Sequence, residues 1–100
     1  MALPVFIVHG HRKALGYQQI TNLSSAVSLA PRSALSALIQ AETSSVRWRD
    51  DGTAPTNNVG MLLTVNSALD YDGDLGAIQF IDATANGVLN ITYYGEEQIH

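Results

Sequence analysis

Cysteine is absent from the chain. Its absence excludes a disulfide framework, a thiolate zinc site and a cysteine nucleophile, so packing alone must stabilise the fold. Charged residues are also scarce, at 14% of the sequence, whereas an average globular protein has about a quarter. Because charged side chains cover much of the surface of a soluble monomer, we expect another protein to cover part of this one.

Long hydrophobic runs are missing too. The longest, residues 3–8, ends at His9 and is far shorter than the roughly 20 residues that cross a bilayer. Residues 1–4 lack the basic start and apolar core of a signal peptide. We therefore expect a protein made in the cytoplasm, with no membrane partner. A chain of 100 residues has room for one domain core only.

Basic residues are absent from the second half of the chain. All five precede residue 50, where Glu42 is the only acid, and residues 50–100 carry eight acids. Such a bipolar chain suits docking of the positive part of one molecule on the negative part of another. The alternative is that the two halves interleave in the fold, so that the polarity vanishes in space. The sequence leaves both interpretations open.

Short alternating or β-branched stretches predict several strands. They lie at residues 4–8, 17–20, 26–29, 46–49, 61–65, 68–71, 77–81 and 88–93. Turn-forming residues between the last four predict hairpins, and hence a meander or half of a Greek key. Strands do not alternate regularly with helices, so the pattern predicts an all-β fold: a single antiparallel β-sandwich, jelly-roll-like.

Residues 33–42 are ambiguous. Their alanines and leucines favour a helix by propensity, but Ala37, Ile39 and Ala41 also alternate with Leu38, Gln40 and Glu42. We favour a strand that turns at residues 43–45 and pairs with 46–49. Residues 1–16 are predicted to form an N-terminal arm, and residues 17–100 the sandwich domain.

The alternation also predicts which side chains point inward. In Arg47-Trp48-Arg49 the tryptophan takes the buried face and the arginines share the exposed face, which is typical of a core tryptophan. With a pI near 5.0, direct contact with nucleic acid is not expected. The predicted core is Ile39, Val46, Trp48, Leu63, Leu69, Ile78, Phe80, Leu89, Ile91 and Tyr93.

Two constellations resemble metal sites without completing one. His9 and His11 have a chelating spacing, but no third ligand is nearby in the sequence. Asp70, Asp72 and Asp74 alternate as in a calcium loop, but the glycine and glutamate positions of an EF-hand do not match. No nucleophile elbow is present. We therefore predict no enzyme, no cofactor and no metal; an unrecognised hydrolase rests on no positive feature.

One set of segments resembles a known family. The segments are Val46-Arg47-Trp48-Arg49-Asp50-Asp51-Gly52-Thr53-Ala54-Pro55-Thr56, Val59-Gly60-Met61-Leu62-Leu63, Leu75-Gly76-Ala77-Ile78-Gln79-Phe80-Ile81 and Leu89-Asn90-Ile91-Thr92-Tyr93-Tyr94. Over about residues 20–95 the chain resembles small all-β virion proteins encoded in the structural gene blocks of tailed bacteriophages. The resemblance implies a decoration or cement protein on the capsid surface, whose partners are the major capsid protein and copies of itself.

The partner contacts are expected on the arm, the 50–58 loop and the charged edges of the sheet. A hydrophobic arm could add a strand to a neighbour's sheet edge. The candidate partner-binding residues are Val5, Phe6, Ile7, His9, Arg12, Arg47, Arg49, Asp50, Asp51, Thr53, Pro55 and Asn57.

The alternative function is a carbohydrate-binding module on a phage tail or fibre. Four tyrosines could supply aromatic platforms for sugars: Tyr17, Tyr71, Tyr93 and Tyr94. Adjacent residues of a strand point to opposite faces, so at most one of Tyr93 and Tyr94 belongs to the core.

Overall fold

The computed structural model describes residues 12–31 and 33–96, and the regular structure of these residues is entirely β. The predicted all-β class is therefore confirmed. The strands are β1 (Arg12–Ile20), β2 (Val27–Ser28), β3 (Ser36–Glu42), β4 (Val46–Arg49), β5 (Met61–Leu63), β6 (Ala68–Tyr71), β7 (Gln79–Asp82) and β8 (Val88–Glu96).

The strands form two four-stranded sheets. The first sheet has the order β1-β8-β3-β6 and the second the order β2-β7-β4-β5. Neighbouring strands are antiparallel throughout both sheets. Two antiparallel sheets with one hydrophobic cluster between them are consistent with the predicted β-sandwich.

The predicted hairpins are wrong. Of the consecutive strands, only β4 and β5 are paired, and every other connection joins a strand of one sheet to a strand of the other. The 43–45 turn thus carries the chain from β3 across to β4 in the opposite sheet. A three-residue turn can do this because about 3.3 Å per residue spans the roughly 10 Å between packed sheets. Turn residues show where the chain reverses but not which sheet it enters.

The boundary predicted between arm and domain falls inside β1. Arg12, Lys13 and Ala14 pair with Glu96, Gly95 and Tyr94 of β8, and the register shifts by one residue before Gly16. Residues 12–16 are therefore part of the first sheet. The strand and arm predicted before residue 12 lie outside the described residues.

The ambiguous 33–42 segment is a strand from Ser36 onward. Ala37, Ile39 and Ala41 are fully buried, whereas Leu38 and Gln40 between them are exposed. Burial with a period of two matches one face of a sheet, and here it overrides the helix propensity of alanine and leucine.

The core contains most of the residues predicted for it. Trp48 and Leu69 are half-buried against the cluster, and the other eight predicted residues are buried. Connecting segments add Leu23, Leu29 and Leu75. Each fully buried large apolar side chain contributes about 2 kcal/mol to the free energy of folding.

The two halves of the chain interleave in space. Each sheet takes two strands from residues 12–49 and two from residues 61–96. An ion pair of 3.2 Å between Arg12 Nη1 and Asp70 Oδ1 joins the basic half to the acidic half. The charge asymmetry of the sequence is thus not an asymmetry between the sheets.

The turn before β8 depends on a glycine, which generates a prediction. Gly87 N donates to Oδ1 of the buried Asp82 at 2.9 Å, and a Cβ at residue 87 would overlap that oxygen. We expect Gly87→Ala to lower the free energy of unfolding by about 2 kcal/mol, measured by urea denaturation followed by Trp48 fluorescence.

Gly76 is the matched control for this substitution. Its N–H donates to Asp74 Oδ1 at 2.9 Å in the same way, but the site is exposed and a Cβ would lie 3.3 Å from that oxygen. Gly76→Ala should change stability by less than about 0.5 kcal/mol. Equal losses in both variants would contradict the role of the buried Asp82 contact.

Candidate functional site

The 50–60 loop folds back over the outer face of the second sheet. Asn57 Nδ2 donates to the carbonyl of Asp82 in β7 at 2.7 Å. Arg47 in β4 donates to the carbonyls of Gly60 at 3.1 Å and Asn57 at 3.4 Å. The loop therefore lies on the sheet, and its covering explains why Ile81 is buried although it is outside the core cluster.

Several predicted partner-binding residues are used to hold this loop. Arg47 and Asn57 make the hydrogen bonds just described, and Pro55, a residue of the loop itself, is buried. Asp50 Oδ2 accepts a 2.7 Å hydrogen bond from the Tyr71 hydroxyl. These side chains shape the surface, and most of their polar atoms are already engaged within the chain.

The other predicted residues of this region are Arg49, which is half-buried, and Asp51 and Thr53, which are exposed. Arg49 binds Asp51 through two hydrogen bonds, of 3.0 and 2.6 Å. These bonds hold the pKa of the Asp51 carboxyl at about 2. The pair therefore stays ionised at all ordinary pH values and presents a nearly neutral polar rim. Thr53 is exposed at the tip of the loop.

Exposed apolar side chains lie beside this rim on and next to β5, which is one of the two edge strands of the second sheet. Met61 is 60% exposed and Leu62 is 50% exposed, and Val59 and Val65 are also exposed. We call these four residues the β5 edge patch. A shallow depression of about 260 Å³ joins the patch to Arg49 and Asp51.

The sequence predictions did not include the β5 edge patch. Residues 61–63 are consecutive apolar residues, which fits a strand buried on both faces as well as one at an edge. Met61 and Leu62 are exposed because β5 pairs with β4 and, within residues 12–31 and 33–96, with no strand on its other side. The one signal available was that this run departs from strict alternation.

An aromatic pair connects the two sheets near the loop. The rings of Trp48 in β4 and Tyr71 in β6 meet edge to face, with centroids 5.9 Å apart and planes at 70°. Burial, with the hydrogen bond to Asp50 next in importance, raises the pKa of Tyr71 to about 12. Together with the hydrogen bond from Tyr71 to Asp50, the pair connects β6, β4 and the start of the 50–60 loop.

A second candidate surface is a groove on the outer face of the first sheet. Its volume is about 580 Å³ and its lining comes from β1, β3, β6 and β8. Asn90 lies at its centre: Oδ1 accepts from Tyr17 at 2.5 Å and Gln19 at 3.0 Å, and Nδ2 donates to Gln40 at 3.2 Å and Glu42 at 2.9 Å. We call this the Asn90 groove.

The four tyrosines divide between core and surface. Tyr71 and Tyr93 are buried, whereas Tyr17 is exposed and Tyr94 is half-buried. The prediction that Tyr93 and Tyr94 point to opposite faces is confirmed. Only Tyr17 and Tyr94 therefore stay available as aromatic platforms, and both lie on the outer face of the first sheet.

Arg12 lies across that same face. Its guanidinium carbon is 4.4 Å from the Tyr94 ring centroid. Nη1 donates to Ser36 at 2.8 Å and to Asp70 at 3.2 Å. Arg12 thus links three strands beyond its own. Val5, Phe6, Ile7 and His9, the other predicted contacts of the arm, lie outside the described residues.

Other kinds of site have no support among the described residues. No group of three or more His, Asp or Glu side chains in residues 12–31 and 33–96 is arranged to hold a metal ion. Asp70 pairs with Arg12, and Asp74 accepts from the backbone of Gly76. In this part of the chain no helix has the length and apolar composition needed to cross a membrane.

The raised pKa of Tyr71 predicts an alkaline loss of stability. The folded protein keeps this proton up to about pH 12, whereas an unfolded tyrosine loses it near pH 10. The folded state thus binds more protons between these values, and the free energy of unfolding falls as pH rises through them. Urea denaturation from pH 8 to 12 measures the slope.

The Tyr71→Phe variant distinguishes the titration of Tyr71 from that of the other tyrosines. At pH 8 the variant should be about 1 to 2 kcal/mol less stable, because it lacks the hydrogen bond to the Asp50 carboxylate. Between pH 10 and 12 its stability should fall less steeply than that of the wild type. Parallel pH profiles would show that Tyr71 does not titrate in this way.

Comparison of the chain with protein-family models, curated proteins and solved structures finds no match.

Proposed function

We propose that the protein is a structural component of a tailed-phage virion: a decoration protein that cements the head by bridging subunits of the major capsid protein. It acts by binding, without catalysis or a cofactor, at the capsid surface. The observation that carries the proposal is the β5 edge patch, an apolar strip on an edge strand in a chain with few charged residues.

The strand order supports a finer description of the fold. Apart from β4 and β5, which pair within the second sheet, consecutive strands alternate between the sheets β1-β8-β3-β6 and β2-β7-β4-β5, as expected for an eight-stranded jelly roll. Jelly rolls are common in viral capsid and lectin domains. Since a fold alone does not determine function, this assignment is compatible with the proposal and does not carry it.

The physical chemistry of the β5 edge patch suits a protein partner. Apolar side chains on an edge strand combine a surface that gains from burial with backbone groups that can pair with another strand. Covering each half-exposed side chain contributes about 1 kcal/mol. Arg49, Asp51 and Thr53 then form the polar rim that usually surrounds an interface core. We infer that a capsid subunit docks here.

Cementing requires a second contact. Leu15 and Leu35 are exposed apolar residues beside the end of β8. The backbone N–H of Leu35 donates to the carbonyl of Tyr94. The Leu15 side chain packs over Gly95, where Cδ1 would lie 3.0 Å from an added Cβ. We propose that this end of the first sheet contacts a second copy of the chain. Repetition over a lattice strengthens individually weak contacts.

Leu62→Asp tests the β5 edge patch directly. Leu62 is exposed, so the added carboxylate should leave the fold intact while placing a charge in an apolar contact. We expect binding to heads assembled from the cognate major capsid protein to weaken at least about tenfold, equivalent to about 1.4 kcal/mol, measured by co-sedimentation.

Ser28→Asp is the matched control, because it adds the same charge at an exposed position on β2, the opposite edge of the second sheet. This variant should bind heads as the wild type does. A wild-type protein that never sediments with heads would contradict the proposed function. Equal binding by both variants would show that capsids contact another surface.

The copy number in purified virions distinguishes a head from a tail location. A decoration protein should be present in numbers comparable with those of the major capsid protein, because it follows the head lattice. Quantitative mass spectrometry of intact particles gives this ratio. A handful of copies per particle would contradict a role on the head surface and indicate a vertex or a tail.

A further inference from the structure

The Asn90 groove has a different chemistry from the β5 edge patch. Its polar lining is made of amides, two hydroxyls and one carboxylate, and its apolar part includes Leu38 and the ring of Tyr17. Tyr17 is 57% exposed at one side of the groove. The volume of about 580 Å³ lies within the range of small-molecule sites. The groove is on the opposite sheet from the β5 edge patch, so both could be occupied together.

The polar side chains of the groove are held in place by each other. Asn90 bonds to residues of β1 and of β3, so one side chain orders groups from three strands. Sites built on strands and supported by such bonds are well preorganised, which lowers the entropic cost of binding.

Three side chains of the network each have one polar atom that takes no part in these hydrogen bonds. Gln19 uses Nε2, and Gln40 and Glu42 each use Oε1. The atoms outside these bonds are Gln19 Oε1, Gln40 Nε2 and Glu42 Oε2. They supply one donor and two acceptors, a combination that matches hydroxyl groups, since each hydroxyl both donates and accepts.

The charge of the groove excludes anionic ligands. Among the described residues that line it, Glu42 is the one charged residue and none is a lysine or an arginine. Phosphates, nucleic acids and acidic polymers would therefore be repelled. A protein contact would gain little, because the apolar lining is small and the amide network would have to be desolvated. A sugar ring presents an apolar C–H face and a rim of hydroxyls, which fits Tyr17 beside the amides.

We propose that the Asn90 groove binds a neutral saccharide. The Tyr17 ring stacks on the sugar, and Gln19, Gln40 and Glu42 bond to its hydroxyls in an arrangement that Asn90 fixes. This inference goes beyond the proposed function, because a decoration protein attached through its β5 edge patch would present a separate glycan site on its other sheet.

The test begins with an array that carries neutral and anionic glycans, probed with the intact wild-type chain. Hits are then titrated against ¹⁵N-labelled protein, because the side-chain amides of Gln19, Gln40 and Asn90 each give their own signals. We expect binding to neutral glycans and shifts in these amide signals. Binding to no glycan, or to anionic glycans only, would overturn the proposal.

Three substitutions locate the site. Tyr17→Ala removes the ring, and Asn90→Asp keeps the shape of the side chain but replaces a donor by a second acceptor beside Glu42. Each should weaken binding at least about tenfold. Tyr17→Phe keeps the ring and should weaken it less than Tyr17→Ala. Unchanged affinity in Tyr17→Ala and Asn90→Asp would overturn the proposal.

Crossed controls separate this inference from the proposed function. Leu62→Asp should bind glycan normally, and Asn90→Asp should bind heads normally, with folding checked by Trp48 fluorescence. Loss of glycan binding in Leu62→Asp alone would move the site away from the groove. Loss of head binding in a folded Asn90→Asp variant would make the groove a protein contact and overturn the saccharide proposal.

Discussion

Burial of the inner faces of β3 and β8 against the second sheet is the constraint on which the structure depends. These strands lie in the middle of the first sheet, and their inward residues Ile39, Leu89, Ile91 and Tyr93 are fully buried. With no disulfide in a cysteine-free chain and no metal-binding group among residues 12–31 and 33–96, hydrophobic contact between the sheets must supply most of the stability. Every other feature is built on the two outer faces and edges that this packing leaves.

The two outer faces are treated differently. The 50–60 loop covers the second sheet through Arg47 and Asn57 and shields Ile81. Among the described residues, the outer face of the first sheet carries cross-strand polar contacts, with Arg12 over Tyr94 at one end and the Asn90 network further along. Polar side chains that hydrogen-bond to each other prevent nonspecific association of an open sheet face with other proteins, while leaving the face available to a polar ligand.

In the described part of the chain, the β5 edge of the second sheet is apolar and pairs with no further strand. Natural edge strands usually carry charges, prolines or covering loops that prevent pairing with other chains, but β5 exposes Met61 and Leu62. An apolar edge promotes aggregation of a free monomer, but it strengthens binding when a partner covers the edge in an assembly. This contrast is the physical basis for proposing a virion partner at the edge and a saccharide on the face.

The sequence by itself determined the class of fold, the strands and most of the core, because alternation with a period of two records locally which face of a strand is buried. It predicted that Tyr93 and Tyr94 separate, and that 33–42 forms a strand. It did not determine which strands pair, because a short turn can close a hairpin or cross between sheets, and the predicted meander was wrong. Only the tertiary structure decided that β5 lies at an edge and that Asn90 meets Tyr17, Gln40 and Glu42. Those contacts join residues far apart in the chain, and no local pattern specifies them.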